Sequence, residues 1–531
     1  MTKAKETARG WVDAHRADLS EWTRTIFELA EPAWREYRSA ALYVERLRAE
    51  GFDVEEGSGG MPTAFSAEWS NGNGPTLLTY AEYDAVPGNS QAAAPRPGPR
   101  RGTTRFAPGH TDPHSALGAG ALGGLLATKA AMERHEIRGR LRFTGEPAEK
   151  VQGSKVVHGL RGYYDGVDAI LSFHPFYMLP LCNTVRWDTQ CGAYYSRVYS
   201  FVAREGGDWA PAAGDSPIPA SHSAARAPGA NVALQTMYAL SKATQESMLA
   251  HVGGWSLNEA ILSTGQCTAD NLPAHLIHIQ YTWRTPDVAM ADAVLEVLDS
   301  NADHAAAVAH CDVVKTWVAR TRPGVTNHVL AQVVYENLAA VGAPEYGEDA
   351  AAVGREIQEQ LGIEPMEKPF LPACEEVVDP RDAERQMRDV IPSWQRNWTS
   401  DDYVEMTWYA PTARFYVARP MLRQAPGGRP YPAWVSNALG GIPATIDPTV
   451  VCAAKTISGT MLDLLERPEL VAEARREFDE RVSGSPHRQP LLSADFEPPL
   501  DLPWPEYVTT ARGTSWSDPF RAAHDAAEAV V

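Results

Sequence analysis

A six-residue stretch of the chain brings together three side chains that could bind a metal ion. It reads Gly109-His110-Thr111-Asp112-Pro113-His114, with potential ligands at alternate positions. Alternate residues of an extended loop can point to one side, so Asp112 and His114 could hold one divalent ion through oxygen and nitrogen donors. A plainer interpretation is open too, in which Asp112 caps a helix that begins at Pro113.

Similar groups follow three segments that are typical of buried strands. Glu149 comes shortly after the apolar run 141–144, His174 follows 168–173, and Glu82 ends another apolar run. Because parallel strands form their ligand crevice at the carboxyl ends, these side chains should meet at one edge of a sheet. Their convergence favours a functional site over chance.

The elements that must position these residues alternate along the chain. Helical patterns at 10–50 and 113–135 separate the strands, which predicts an α/β fold with a mostly parallel mixed sheet flanked by helices. Further along, alternating stretches and two helices are typical of a smaller inserted α+β domain. The predicted division is a catalytic domain over 1–190 and 321–482, an inserted domain over 191–320 and an extended tail over 483–531.

Composition excludes several classes of partner. The chain has 531 residues and a formal net charge of -19, which would repel nucleic acids and anionic membranes. Its six cysteines are scattered without a C-x-x-C pair, as in proteins of a reducing compartment. No apolar signal core and no apolar run of about 18 residues is present. We therefore expect a cytoplasmic protein with a small-molecule substrate.

Several motifs occur in an order that resembles a known family. They are the strand and turn over 82–91, the loop 110–117 against "GHGCGHNLLG", residues 147–150 and 173–175 against "PAEE … WHP", 222–234 against "HAAxxP…G…AL", and 400–408 against "STDVGDVSW". Together they resemble the metal-dependent amidohydrolases and metallopeptidases that include p-aminobenzoyl-glutamate hydrolase and indole-acetyl-amino-acid hydrolase, relatives of aminoacylase and carboxypeptidase. The resemblance covers about residues 20–480. It implies a zinc-exopeptidase-like catalytic domain and an inserted dimerisation domain, hence a homodimer or higher homo-oligomer.

The resemblance also implies roles for individual residues. Glu149 falls on the general base that takes a proton from a metal-bound water. His114 and His174 fall on metal ligands, and Asp112 falls where close relatives have a ligating cysteine. The chemistry implied is hydrolysis of a carbon–nitrogen bond.

Further positions match residues that contact the substrate. His222 falls on the histidine of the inserted domain that steadies the oxyanion across a subunit boundary. Asn271 and Arg284 fall where the family has substrate-binding and structural polar residues. Trp434 lies beside another family motif and is a candidate for stacking on an aromatic substrate.

Two positions depart from the family pattern. Lys150 stands where the family has a second glutamate ligand, and Pro432 stands where it has the last ligating histidine. Exchanging a carboxylate for an ammonium changes the local charge by two units and disfavours a second divalent ion. Lys150 is instead a candidate for contact with the substrate or with Asp112, Glu146 or Glu149.

Three versions of the site remain open. In the first, one zinc or manganese ion is held by Asp112, His114 and His174, with Glu82 or His110 replacing lost ligands. In the second, the site is free of metal and works by acid–base chemistry, and in the third the protein only binds a small ligand. The first version predicts a metal-dependent hydrolase of the amide bond in an N-acyl or N-aroyl amino acid or a similar small amide.

Overall fold

The structure, a computed structural model, describes residues 2–204, 229–249, 253–263, 274–424, 427–510 and 513–516. His222 and Asn271, for which the sequence predicts catalytic and substrate-binding roles, lie outside the described residues. Within these ranges no helix has the length and apolar character needed to cross a membrane.

The described chain begins with three helices and three strands, and helices and strands then alternate as far as β5. The helices are α1 Lys3–Ala14, α2 Arg16–Leu29, α3 Tyr37–Ala49, α4 His114–His135, α5 Ser154–Leu160, α6 Ala230–Met248, α7 Val288–Val308, α8 His328–Val341, α9 Glu348–Gln360, α10 Pro380–Arg388, α11 Tyr403–Met406, α12 Ala433–Leu439, α13 Pro443–Glu466 and α14 Pro468–Ser483. The strands are β1 Asp53–Glu56, β2 Phe65–Ser70, β3 Thr76–Ala81, β4 Arg140–Gly145, β5 Ala169–Pro175, β6 Thr184–Val185, β7 Ala193–Ala203, β8 Ser256–Ser263, β9 Leu276–Thr285, β10 Cys311–Thr321, β11 Thr412–Val417, β12 Tyr507–Thr510 and β13 Gly513–Trp516.

The larger sheet has seven strands in the order β1-β2-β4-β3-β5-β11-β6. Its four central strands, β4, β3, β5 and β11, are parallel, and the outer strands pair antiparallel. Every residue of β3, β5 and β11 is buried, as expected for apolar strands covered on both faces. The predicted α/β mixed sheet is confirmed.

Helix α4 lies in the interior and carries one of the candidate ligands at its first position. Its glycines admit close neighbours: a Cβ added at Gly124 would lie 2.6 Å from the Cβ of Ile457 on α13. The helix begins at His114 after Pro113, and no side chain caps its first turn. Asp112 is therefore not the helix cap that the plainer interpretation required.

The smaller sheet is antiparallel, with strand order β10-β7-β9-β8. Helices α6 and α7 pack on one face, where Tyr195, Tyr199 and Trp283 are buried in a separate core. This is the smaller α+β unit predicted between the two parts of the catalytic domain. Its strands run from Ala193 to Thr321, and the exact domain boundaries stay a prediction.

The segment after α14 packs on the smaller sheet. Leu492 and Trp504 are buried in a cluster with Val198 and Val318 of the smaller sheet. The guanidinium of Arg322, at the end of β10, donates to the carbonyl oxygens of residues 487 and 488 at 3.2 and 2.9 Å. As far as residue 506, the segment therefore wraps over its own body.

Candidate active site

The predicted ligands meet at the carboxyl edge of the larger sheet. Glu82 follows β3, Glu149 comes after β4, and His174 lies near the end of β5, while α4 brings His114 to the same edge. The residues Glu82 and His114 are fully buried, and His174 and Glu149 are 4% and 9% exposed. The strand topology therefore brings these four predicted residues together.

The ring of His114 is fixed by a carboxylate behind it. Its Nδ1 donates to Oδ1 of Asp84 at 2.8 Å, which leaves Nε2 pointing to the centre of the site. Nε2 lies 3.4 Å from Oε2 of Glu82 and 3.5 Å from Oε2 of Glu149, without a hydrogen-bond partner. A histidine oriented by a carboxylate is the usual arrangement of a metal ligand.

His174 supplies a second imidazole. Its Nδ1 donates to the carbonyl oxygen of Pro175 at 2.5 Å, and its ring meets that of His114 edge-on at 5.8 Å between centroids. Burial and the nearby charge of Arg414 lower the pKa of His174 well below its usual value. The ring is therefore neutral, with a lone pair on Nε2.

Lys150 makes ion pairs with two acidic groups of the site. Its Nζ lies 2.7 Å from Oδ2 of Asp112 and 3.0 Å from Oε2 of Glu149. Burial opposes ionisation of Glu149, but the charges of Lys150 and His114 outweigh it and lower the pKa of Glu149 to about 2. Burial likewise raises the pKa of Asp112, but the charge of Lys150 outweighs burial and holds this pKa well below its usual value.

The turn that carries Glu149 has an uncommon backbone. Ala148 and Gln152, on either side of it, have φ values of 58° and 54°, in the left-handed region. Such conformations persist where the surroundings impose them and are concentrated at functional sites. Lys150 N donates to Oδ2 of Asp84 at 2.8 Å and ties this turn to the residue that orients His114.

Sequence reasoning missed a second lysine of the site, which is fully buried. Nζ of Lys155 lies 2.7 Å from Oε1 of Glu82 and 2.8 Å from Oδ1 of Asp402, and all three side chains are inaccessible to solvent. Burial opposes the charge of Lys155, but Asp402 and Glu82 raise its pKa well above its usual value. The signal in the sequence is the run Ser154-Lys155-Val156-Val157, which places a lysine among small and apolar residues of a short helix.

A cavity of about 200 Å³ opens next to these groups. Its lining consists of Asp112, Glu149, Lys150, Gln152, His174, Tyr177, Arg284, Ser400 and Asp401. Nε of Arg284, on β9 of the smaller sheet, donates to Oγ of Ser400 at 2.7 Å, and its guanidinium lies 5.1 Å from the ring centroid of Tyr194. The structure thus places Arg284 in the lining of the cavity.

Two other predicted site residues lie elsewhere. His110 donates from Nε2 to the carbonyl oxygen of Ile26 at 3.1 Å, and burial and the charge of His114 lower its pKa to about 3. Trp434 packs on an apolar cluster that includes Phe370 and is not among the residues that line the cavity.

The donors fit one divalent ion. Glu82, His114 and His174 each offer a ligand atom within 4.8 Å of the others, and Asp84, His114 and Glu149 form an overlapping group. Two imidazoles and one carboxylate form a ligand set typical of catalytic zinc. Burial and Lys150 oppose a charged His114, but Asp84 and Glu82 outweigh them and raise its pKa, so its Nε2 would release a proton when it binds an ion. The buried Oε2 of Glu82 and Nε2 of His114 lack hydrogen-bond partners, as expected of atoms that bind an ion.

Comparison with known proteins places the chain among hydrolases. No protein-family model matches it. It is 26% identical over 351 residues to one of the subunits of p-aminobenzoyl-glutamate hydrolase from Escherichia coli (strain K12), covering 66% of this chain and 68% of that protein. Thermostable carboxypeptidase 2 of Saccharolobus solfataricus is 30% identical over 164 residues, which cover 30% of this chain and 40% of that protein.

A solved structure shares the fold. The aminobenzoyl-glutamate utilization protein from Klebsiella pneumoniae aligns with a TM-score of 0.54 and 15% identity over 86% of this chain and 98% of that one. Fold and site together define a hydrolase of the amidohydrolase and metallopeptidase class. Within that class, the chain is similar to p-aminobenzoyl-glutamate hydrolase, and the predicted resemblance is confirmed.

Proposed function

We propose that the protein hydrolyses the amide bond of an N-acyl or N-aroyl amino acid, or a similar small amide, with one divalent ion. The observation that carries the proposal is the convergence of Glu82, His114 and His174, which each offer one ligand atom within 4.8 Å of the others. An ionised Glu149 lies beside them. An ion held there supplies Lewis-acid activation of water and of the amide carbonyl. Zinc and manganese both suit these donors.

Glu149 is the proposed general base. Its Oε2 faces Nε2 of His114 at 3.5 Å, so it borders the position of the ion, and it also borders the cavity. Lys150 holds the carboxylate in place and keeps it ionised, since their atoms are 3.0 Å apart. Glu149 then accepts a proton from water and returns it to the leaving amine.

Lys150 supports one ion rather than two. Its ammonium already pairs with both Asp112 and Glu149, so a second divalent ion would meet a positive charge at the same carboxylates. The proposed ligands are therefore Glu82, His114 and His174. Asp112 is a partner of Lys150 in this arrangement.

Arg284 is the proposed contact for a substrate carboxylate. Its Nε is occupied by Ser400, which leaves the two terminal nitrogens of the fork for a ligand in the cavity. Among the described residues, no carboxylate forms an ion pair with it. A guanidinium held in this way binds a carboxylate through two parallel hydrogen bonds.

Self-association belongs to the proposal. The edge strand β8 of the smaller sheet exposes Ile261 to 47%, and an edge with an exposed apolar side chain favours pairing with another chain. We propose a homodimer or higher homo-oligomer formed through this domain. Sedimentation of the purified protein as a monomer at micromolar concentration would contradict it.

Metal analysis with a matched variant tests the proposed reaction. The purified protein should contain about one zinc or manganese ion per chain, and a chelator should lower both activity and melting temperature. Glu149→Gln should abolish hydrolysis of N-acyl amino acids while the ion and the substrate still bind. Full activity of protein shown to be free of metal would overturn the proposal in favour of a metal-free site.

A further inference from the structure

Lys155 occupies a position that the proposed reaction does not explain. It lies in the first turn of α5, and its Nζ is 2.7 Å from Oε1 of Glu82 and 2.8 Å from Oδ1 of Asp402. The ammonium also lies 4.9 Å from the ring centroid of Tyr80. Since none of these four side chains is more than 1% exposed, the ammonium has one defined position.

The two oxygens of Glu82 are used differently as a result. Oε1 accepts a hydrogen bond from Lys155, whereas Oε2 has no hydrogen-bond partner and faces Nε2 of His114 at 3.4 Å. We propose that Lys155 is a positioning residue that presents Glu82 to the divalent ion through Oε2 alone. The inference rests on the proposed single-ion function.

This positioning matters because a carboxylate can bind an ion through one oxygen or two. A catalytic site needs a position left for water or substrate, and a second oxygen of Glu82 would take it. Asp402 also pairs with the ammonium, at 2.8 Å, so this second contact keeps Lys155 in place if the carboxylate of Glu82 rotates. Partners of this kind typically change metal affinity or activity by roughly 10–100-fold when removed.

The same ammonium also separates a group of acids. Glu82, Asp401 and Asp402 have oxygens within 4.8 Å of one another, and Asp401 pairs with Arg414. Lys155 pairs with both of the remaining carboxylates. A second ion is therefore kept from this group, and the carboxylate of Glu82 serves only the site with His114 and His174.

Visible spectroscopy of the cobalt-loaded full chain tests the inference. Wild-type protein should bind about one cobalt ion with the strong absorption of a four-coordinate site. Lys155→Met should bind cobalt with the weaker, shifted absorption of a five-coordinate site, because both oxygens of Glu82 become available. We expect kcat to fall about tenfold with KM nearly unchanged. An unchanged cobalt spectrum in Lys155→Met would overturn the inference.

Two further variants keep the result interpretable. Lys5→Met removes a lysine that lies 2.6 Å from Asp463 in another part of the fold, and should leave the cobalt spectrum unchanged. If Lys155→Met does not fold, Lys155→Met/Asp402→Asn also removes the stranded acid and should show the same spectral change. Wild-type protein that binds no cobalt, zinc or manganese would refute the proposed function itself. Normal metal binding by the wild type, with an unchanged cobalt spectrum in the Lys155 variants, would refute only the positioning role.

Discussion

The ammonium of Lys150 lies 2.7 Å from Oδ2 of Asp112, so the acid that the sequence predicts as a metal ligand is already paired with a cation. Burial would lower the pKa of Lys150, but Asp112 and Glu149 raise it well above its usual value. The lysine is therefore charged at neutral pH. One side of the site is neutralised by the protein, and the proposed ion would neutralise the other.

Lys150→Glu should convert this arrangement into one that binds a second divalent ion. The variant exchanges the cation for a carboxylate next to Asp112 and Glu149, so the acids repel one another until metal is added. We expect a lower melting temperature without metal, and about two ions per chain with excess zinc or manganese, measured by metal analysis after dialysis.

Lys129→Glu is the matched control for this charge change. Lys129 pairs with Glu133 on α4, roughly four turns from His114. This variant should keep one ion per chain. A Lys150→Glu protein that also keeps one ion would show that Lys150 does not determine the number of ions.

Arg284→Lys should weaken binding of substrates that carry a carboxylate. Lysine keeps the charge but loses the planar fork that binds a carboxylate bidentately. We expect KM for an N-acyl amino acid to rise about tenfold or more with kcat little changed, and KM for the corresponding neutral amide to stay constant. Arg197 lies on the neighbouring strand β7 and pairs with Asp299 of α7. Arg197→Lys should leave both KM values unchanged.

The fold could be predicted from the sequence because its signals are local. Apolar runs mark β3 and β5, and the small residues of α4 mark a buried helix, so the topology places Glu82, His114 and His174 at one edge without knowledge of side-chain contacts. The role of Lys155 is not local. Its partner Glu82 is 73 residues away, and only the packing of distant segments decides that this lysine is buried.

The ligand set is harder to predict than its location. The loop spacing favours Asp112 and His114, with His110 as a replacement ligand. The side chain of Asp112 instead turns to Lys150, and that of His110 turns to α2. Trp434 is predicted from its neighbourhood in a motif, whereas its ring belongs to an apolar cluster. Motif position indicates where the backbone lies and leaves the direction of the side chain open.

Stability in acid should depend on Glu146. Burial raises its pKa, but the charge and hydrogen bond of His158, at 2.8 Å, outweigh it and lower the pKa to about 2. Because the folded value lies below the ordinary one, the stabilisation is present above about pH 4.5 and is lost as the pH falls toward 2. Glu146→Gln should cost ~3 kcal/mol at neutral pH and little near pH 2.

Urea unfolding of wild type and Glu146→Gln at a series of pH values measures this difference. Asp13→Asn serves as the control, since the Asp13 side chain is 47% exposed beside Arg16 and Lys455 and such surface pairs contribute little. A stability difference between wild type and Glu146→Gln that grows on acidification would contradict the lowered pKa of Glu146.

The segment after α14 should stabilise the turn that carries the general base. Trp504 is 6% exposed, its Nε1 donates to the carbonyl oxygen of Pro499 at 2.7 Å, and it packs in the cluster that contains Ala148 and Trp34. Ala148 directly precedes Glu149, so a cavity in this cluster loosens the backbone of the site. Trp504→Ala should lower the free energy of unfolding by about 3–5 kcal/mol.

Catalytic activity should also depend on the packing of Trp504 near the turn of Glu149. At a temperature where Trp504→Ala is still folded by circular dichroism, kcat should fall severalfold because Glu149 is less firmly held. Trp394→Ala, at a tryptophan that is 48% exposed, is the control and should change neither quantity. If Trp504→Ala lowers stability but leaves kcat at the wild-type value, the tail packs on the body without supporting the turn of Glu149.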